Sequence, residues 1–258
     1  EAGLTGEGVM IAVIDAGFKN VNEMQAFTHL YESGRIVYEL DVVDIDGDIY
    51  AYNVSDHGTS VLSTMGAYQP GLFIGTAPDA EYALIRTEDS DTEYLVEEYN
   101  FLIGAEAADS IGADVVNTSL GYSTFDDPSM EQPYSDMDGN TAISSIAAKM
   151  MIERGVHFVT SAGNSNGSEW PWVGTPSDVV EGLTIGAVDA NGNIAYFSSI
   201  GPNGGGDQKP NTVANGYGCF VIRPNGNVET SSGTSFSSPI TCGLVACSFS
   251  MNLRASMP

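Results

Sequence analysis

Apolar residues in this chain come in short unbroken runs, and those runs alternate with stretches of helical period. Val9 to Ile14 is one such run, and it halts at Asp15-Ala16-Gly17. A segment apolar at every position fits a strand covered on both faces, as in a parallel sheet. Further strands are predicted at Arg35 to Val42, Ala80 to Arg86, Ala113 to Thr118, Val156 to Thr160 and Leu183 to Val188. Helical spacing predicts helices over Val21 to Tyr31, His57 to Gly66, Glu93 to Ile111 and Thr141 to Glu153. In the third of these, Leu95, Tyr99, Leu102, Ile103 and Ala107 share one stripe. A last helix opens from the small polar stretch Ser231 to Pro239 and carries the apolar segment Ile240 to Ala246. Pro239 fits its opening turn, where a missing N–H costs nothing. Strands alternating with helices, without linker or repeat, predict one α/β domain over residues 1–258 on a mostly parallel sheet.

Composition narrows the partners. The 258 residues carry 34 acidic side chains against 8 basic ones, a formal net charge of −26. Such a field repels nucleic acid and anionic membrane surfaces and favours solubility or cationic partners. No segment is apolar for the ~18 residues a membrane span needs. The opening Glu1-Ala2-Gly3-Leu4-Thr5-Gly6 has no basic start and no apolar run, so it reads as the start of a domain whose precursor segment has been removed. Cys219, Cys242 and Cys247 form no C-x-x-C pair, so buried, inert thiols are expected rather than a zinc or redox site. The alternating Asp44, Asp46 and Asp48 lack the glycine and distal glutamate of a calcium loop and read as solvated.

Candidate chemistry sits where strands end and helices begin. Asp15 closes the first strand, at the edge where open α/β sheets hold their ligands. Of the three histidines, His29 lies in a polar stretch and His157 inside a strand, where it packs; His57 alone opens a helix from a turn. Ser235 stands at a helix start, facing unpaired N–H groups and the positive dipole end. Each of these residues has an ordinary structural reading as a turn aspartate, a packed histidine or a capping serine. Taken in order, however, they lie in Val13-Ile14-Asp15-Ala16-Gly17, His57-Gly58-Thr59-Ser60-Val61 and Gly233-Thr234-Ser235-Phe236-Ser237-Ser238-Pro239. These segments resemble the three signature motifs of the subtilisin-like serine proteases. Asn117-Thr118-Ser119-Leu120-Gly121, Ser161-Ala162-Gly163-Asn164 and Phe197-Ser198-Ser199-Ile200-Gly201-Pro202 resemble further segments of that family, in its order.

The resemblance implies a three-layer subtilisin-like α/β fold, a mostly parallel sheet with helices on both faces, and a serine endopeptidase. It implies that Asp15, His57 and Ser235 form the triad, with Asn164 and the Ser235 N–H as oxyanion donors. It implies that Ser119, Leu120 and Gly121 pair with an extended substrate, and that Ser161, Ala162 and Gly163 help wall the primary specificity pocket. Trp170 and Trp172 either narrow that pocket or join the core. No cofactor for catalysis is implied. Structural calcium is a family option for which Asp136, Asp138 and Asn140 offer alternating oxygens, without a seventh-ligand pattern. Relatives are made with a signal and a propeptide, which points to a secreted or cell-envelope enzyme acting on peptides and proteins.

Several positions depart from the family pattern. Ser60 stands where many relatives carry a second histidine, and Lys209-Pro210-Asn211 has Asn for the usual Asp. The polar tail Ser248 to Pro258 is expected not to replace the packing of the family's next helix. By similarity to the family, Leu95 to Glu98 border the cleft on the amino side of the cut, and Glu97 and Glu98, with Glu93 and the loop Glu88 to Asp91, form either a solvated acidic helix start or a cluster that favours Lys or Arg two to four residues before the cut. A catalytically inactive peptide-binding scaffold is the alternative function, and the intact Asp15, His57, Asn164 and Ser235 argue against it. An α/β-hydrolase esterase is excluded, because no histidine follows Ser235.

Overall fold

The computed structural model describes residues 3–255. The opening strand β1 (Met10–Asp15) is followed by the short α1 (Thr28–Glu32), β2 (Ile36–Asp41) and α2 (His57–Gly66). Next come β3 (Tyr68–Gln69), β4 (Phe73–Ile74), β5 (Glu81–Arg86), α3 (Val96–Ser110), β6 (Val115–Thr118) and α4 (Ile143–Glu153). The last third holds β7 (His157–Ser161), β8 (Leu183–Val188), β9 (Thr212–Asn215), β10 (Cys219–Ile222), β11 (Val228–Ser231) and α5 (Thr234–Ala255).

Seven strands form one sheet in the order β2-β5-β1-β6-β7-β8-β9, and all its pairings are parallel. The unbroken apolar run of β1 divides by strand alternation. Ile11 and Val13 face Val61 and Leu62 of α2 and Phe236 and Cys242 of α5. Ala12 and Ile14 face Phe101 and Ala105 of α3 and Ala147 and Ala148 of α4. Helices therefore cover both faces, and burial of each large side chain contributes about 1.5–3 kcal/mol.

Strand order sets the place of the site. From β1 the chain moves outward to β2 and back to β5, then crosses β1 to β6 and continues the other way. The reversal leaves a crevice at the carboxyl ends of β1 and β6, where open α/β sheets bind their ligands.

Some expected elements differ. The helix expected over Val21 to Tyr31 is two 3-10 turns, Val21–Glu23 and Gln25–Phe27, and then α1. The extended Met24 between the turns breaks any continuous helix. Helix α3 begins at Val96 rather than Glu93, and the Glu93 N–H is held by Asp126 Oδ2 at 3.1 Å. Helix α5 runs past Ala246 into the expected polar tail, which does pack. The Phe249 ring lies 4.5 Å from that of His157, and Ser250 Oγ donates to Glu7 O at 3.0 Å. Positions 256–258 of that tail, and Glu1 and Ala2 of the opening segment, lie outside the described residues. All three cysteines are free and buried.

Candidate active site

Asp15 ends β1 fully buried, and its Oδ1 accepts from the Ala16 N–H at 2.8 Å. The same oxygen lies 2.7 Å from Nδ1 of His57, the first residue of α2. Gly58 makes this approach possible: a Cβ there would stand 2.4 Å from Gly17 O and 3.1 Å from Asp15 Oδ1. Burial alone would lower the pKa of His57, but the charge of Asp15 and its hydrogen bond outweigh burial and raise it above the ordinary value.

Ser235 is the second residue of α5, so its N–H belongs to the unpaired first turn. Its hydroxyl donates to Ser119 O at 3.4 Å rather than to His57. Pro239 sits inside α5, one turn after Ser235 and not at the helix start. Lacking an N–H, it leaves the Ser235 carbonyl without its i+4 donor. The Ser119 hydroxyl takes that place at 3.0 Å. Ser238 Oγ adds a bond to Asn117 Oδ1 at 2.9 Å, so the end of β6 is tied to the helix that carries Ser235.

Asn164 Oδ1 accepts from the Thr234 N–H at 2.9 Å and from Thr234 Oγ1 at 3.1 Å. Thr234 Oγ1 in turn accepts from the Gly163 N–H at 3.0 Å. With its oxygen committed, the Asn164 amide can only present its NH₂ outward. Thr234 is absent from the residues singled out in the sequence. Its only signal there is its place beside Ser235.

A cavity of about 280 Å³ lies against Ser235 and Asn164 and is lined by all six expected substrate-binding residues, Ser119, Leu120, Gly121, Ser161, Ala162 and Gly163. Trp172 also lines it. Trp170 stays outside and braces Trp172 and Tyr134, at ring separations of 5.8 and 5.7 Å. On the other side of Ser119–Gly121 a larger cavity, about 520 Å³, reaches His57.

Glu97 and Glu98 are buried, which overturns the reading of a solvated helix start. Glu98 turns away from the crevice and accepts from Ser144 N and Oγ, both at 2.9 Å. Nor does the loop 136–140 gather a cation cage. Asp138 Oδ1 accepts the N–H groups of Asn140 and Thr141, and Asn140 Oδ1 accepts from the Lys149 ammonium at 2.7 Å. Among the described residues no group of three or more His, Cys, Asp or Glu is placed to hold a metal. At the two departures, neutral groups find partners: Ser60 Oγ accepts from Arg223 at 3.1 Å, and Asn211 Oδ1 accepts from Thr184 N and Lys209 Nζ.

Fold and site together define an α/β protein with a buried aspartate–histidine pair and a helix-seated serine at the carboxyl edge of its sheet. The chain belongs to the subtilase family, whose pattern it matches over residues 6–256. Pyrolysin of Pyrococcus furiosus is 28% identical over 318 residues, covering 94% of this chain and 22% of pyrolysin. Subtilisin NAT of Bacillus subtilis subsp. natto is 28% identical over 257 residues, covering 95% of this chain and 56% of that protein. The crystal structure of a cold adapted subtilisin-like serine proteinase superposes with a TM-score of 0.71 at 25% identity, over 98% of this chain and 79% of that one. The chain thus spans 22% of the length of pyrolysin and 56% of that of Subtilisin NAT. No helix among the described residues is long and apolar enough to cross a membrane.

Proposed function

We propose that residues 1–258 act as one peptidase domain that hydrolyses peptide bonds through Ser235, His57 and Asp15. The observation that carries this reading is the 2.7 Å bond between Asp15 and His57 Nδ1. It keeps the proton on Nδ1 and leaves Nε2 free to accept one. A turn about the Ser235 Cα–Cβ bond moves its hydroxyl from Ser119 O toward Nε2. As Nε2 takes the proton, Oγ bonds to the substrate carbonyl carbon, and the carbonyl oxygen becomes an oxyanion.

The Asn164 NH₂ and the Ser235 N–H meet that oxyanion, fixed in place before any charge appears. The imidazolium beside Asp15 then gives its proton to the leaving nitrogen as the C–N bond breaks. Water, deprotonated by the same Nε2, releases the acyl group. An extended substrate lies along Ser119–Gly121, with the side chain before the cut in the cavity lined by Ser161–Gly163. No cofactor takes part. By family resemblance the substrates are peptides and proteins, the precursor carries a propeptide, and the enzyme works outside the cell or in its envelope.

Labelling with a serine-directed phosphonate followed by peptide mapping tests the assignment. Modification at Ser235, abolished in His57→Ala, is expected. A modified serine elsewhere, or none in the folded chain, would overturn it. For subtilisin itself, removing the serine or histidine costs about 10⁶ in kcat, and that value is the reference for Ser235→Ala.

A further inference from the structure

His57 and Ser235 arrive on different elements. His57 opens α2, whereas Ser235 follows the turn that joins β11 to α5. The hairpin of β10 and β11 reaches both. Its Ile222 N–H donates to Ser63 Oγ of α2 at 2.9 Å. The next residue, Arg223, spreads its guanidinium between the two elements. Nη1 donates to Ser60 Oγ at 3.1 Å, and Nη2 donates to Ser231 Oγ at 3.2 Å. Ser60 is fully buried, three residues after His57, and Ser231 stands four residues before Ser235. Carboxylates flank the fork, with Asp56 Oδ1 3.5 Å from Nη1 and Glu229 Oε2 3.6 Å from Nε. The backbone just beyond is held as well, since Asn20 Nδ2 donates to Pro224 O at 3.2 Å.

A guanidinium presents planar, paired donors that an ammonium does not reproduce, so spanning two hydroxyls in this way calls for arginine. Arg223 lines neither cavity at the site, so its role is not to touch substrate. Its charge also bears on His57. Burial resists a proton on the ring and Asp15, on β1, attracts one; Asp56 adds to the attraction and Arg223 opposes it. The larger cavity brings further carboxyls toward His57, those of Glu88, Asp89, Asp91, Glu93, Glu97 and Asp126. Its lining has no lysine or arginine, so the opposing charge comes from the hairpin.

We propose that Arg223 is a positioning residue of the reaction, clamping the first turn of α2, with His57, to the segment that delivers Ser235. The assignment rests on the peptidase reading for the step it serves; the clamp itself is the pair of bonds to Ser60 and Ser231. Misplacing reacting groups by ~1 Å can cost ~10²-fold in rate. Loss of the fork therefore acts on kcat, and loss of the charge acts on the pH at which His57 becomes neutral.

Arg223→Lys keeps the charge and loses the fork, whereas Arg223→Met loses both. Each is expected to lower kcat at least about tenfold with KM within about twofold. In Arg223→Met the acid limb of kcat/KM should also move to higher pH, because His57 then holds its proton longer. NMR titration of the His57 ring, assigned by its absence in His57→Ala, reads the same shift without turnover. A kcat for Arg223→Lys within about twofold of wild type overturns the proposal and makes the fork a mere fold contact. A His57 midpoint in Arg223→Met no higher than in wild type overturns it too. Should the Met variant not fold, Ser231→Ala removes one bond alone, and a double-mutant cycle with Arg223→Lys decides. Non-additive effects on kcat uphold the clamp, and additive effects sink it. If phosphonate labelling fails at Ser235, the peptidase reading falls by itself. The ring titration in a Ser235→Ala background then still shows whether Arg223 acts on His57: an upward shift on Arg223→Met upholds that contact, and an unchanged midpoint sinks it.

Discussion

The Thr234 hydroxyl accepts from the Gly163 N–H and donates to Asn164 Oδ1, so one side chain orients the amide assigned to the oxyanion. Thr234→Val keeps the shape and removes both bonds. Its kcat is expected to fall about tenfold with KM within about twofold, since the donor acts on charge present only after attack. Thr234→Ser should restore kcat; a Val variant with kcat unchanged would make Thr234 a mere packing residue. Glu97 gives a prediction of opposite kind. Its carboxyl sits at about 9 in the fold against an ordinary value of 4.5. The fold thus holds a proton that the unfolded chain has released, and stability falls as pH rises through that window. Glu97→Gln, permanently neutral, should match wild type in Tm near pH 4 and exceed it at pH 8, by roughly 2–4 °C per ~1 kcal/mol recovered. A constant offset at all pH values would refute the linkage. Asp15, His57 and Ser235 were singled out in the sequence by the ordered motifs around them rather than by type or position alone, and the fold brings Asp15 and His57 into contact. Thr234 was not, because its bonded partners lie 71 and 70 residues away. Glu97 could not be told from Glu98, since both sit in an acidic first turn and only the tertiary fold sends one to the crevice and the other to Ser144.

Among the elements, α3 shows how the crevice is held up from behind. Phe101 is fully buried between α3 and the sheet, with Tyr122 and Phe158 both edge-on at 6.4 Å. Phe101→Ala should cost about 3–5 kcal/mol through lost burial and the cavity left behind. Urea unfolding measures this directly, and a loss below about 1 kcal/mol would mean the site collapses to fill the gap. Strand β1 was readable because Met10 to Ile14 are apolar without a break, and β5 to β8 because each carries a short apolar core. The edge strand β9, mostly exposed, and the hairpin of β10 and β11 were not, because Thr212–Asn215 and Val228–Ser231 carry no strand period distinct from a polar loop. The extension of α5 was hidden likewise: Ser248 and Ser250 suggest a tail, yet Ser250 turns inward to the Glu7 carbonyl.

At the scale of the molecule, a net charge of −26 makes the folded chain repel itself. Screening shortens from about 30 Å at 0.01 M salt to about 3 Å at 1 M. Tm is therefore expected to rise with sodium chloride, most steeply below about 0.1 M. A flat profile would show that charge spacing already removes the strain. The topology has a temporal consequence as well. Asp15 and His57 lie near the start of the chain, whereas Ser235 is delivered by α5, which packs against α2, β6, β7, β8 and β9. Chains emerge from the ribosome amino end first, so a polypeptide made only as far as β8 holds Asp15 and His57 but neither Ser235 nor the helix that seats it. Under the proposed function, cutting power arrives only after the strands of the seven-stranded sheet have been made, when much of the domain's own backbone can already be withdrawn from attack.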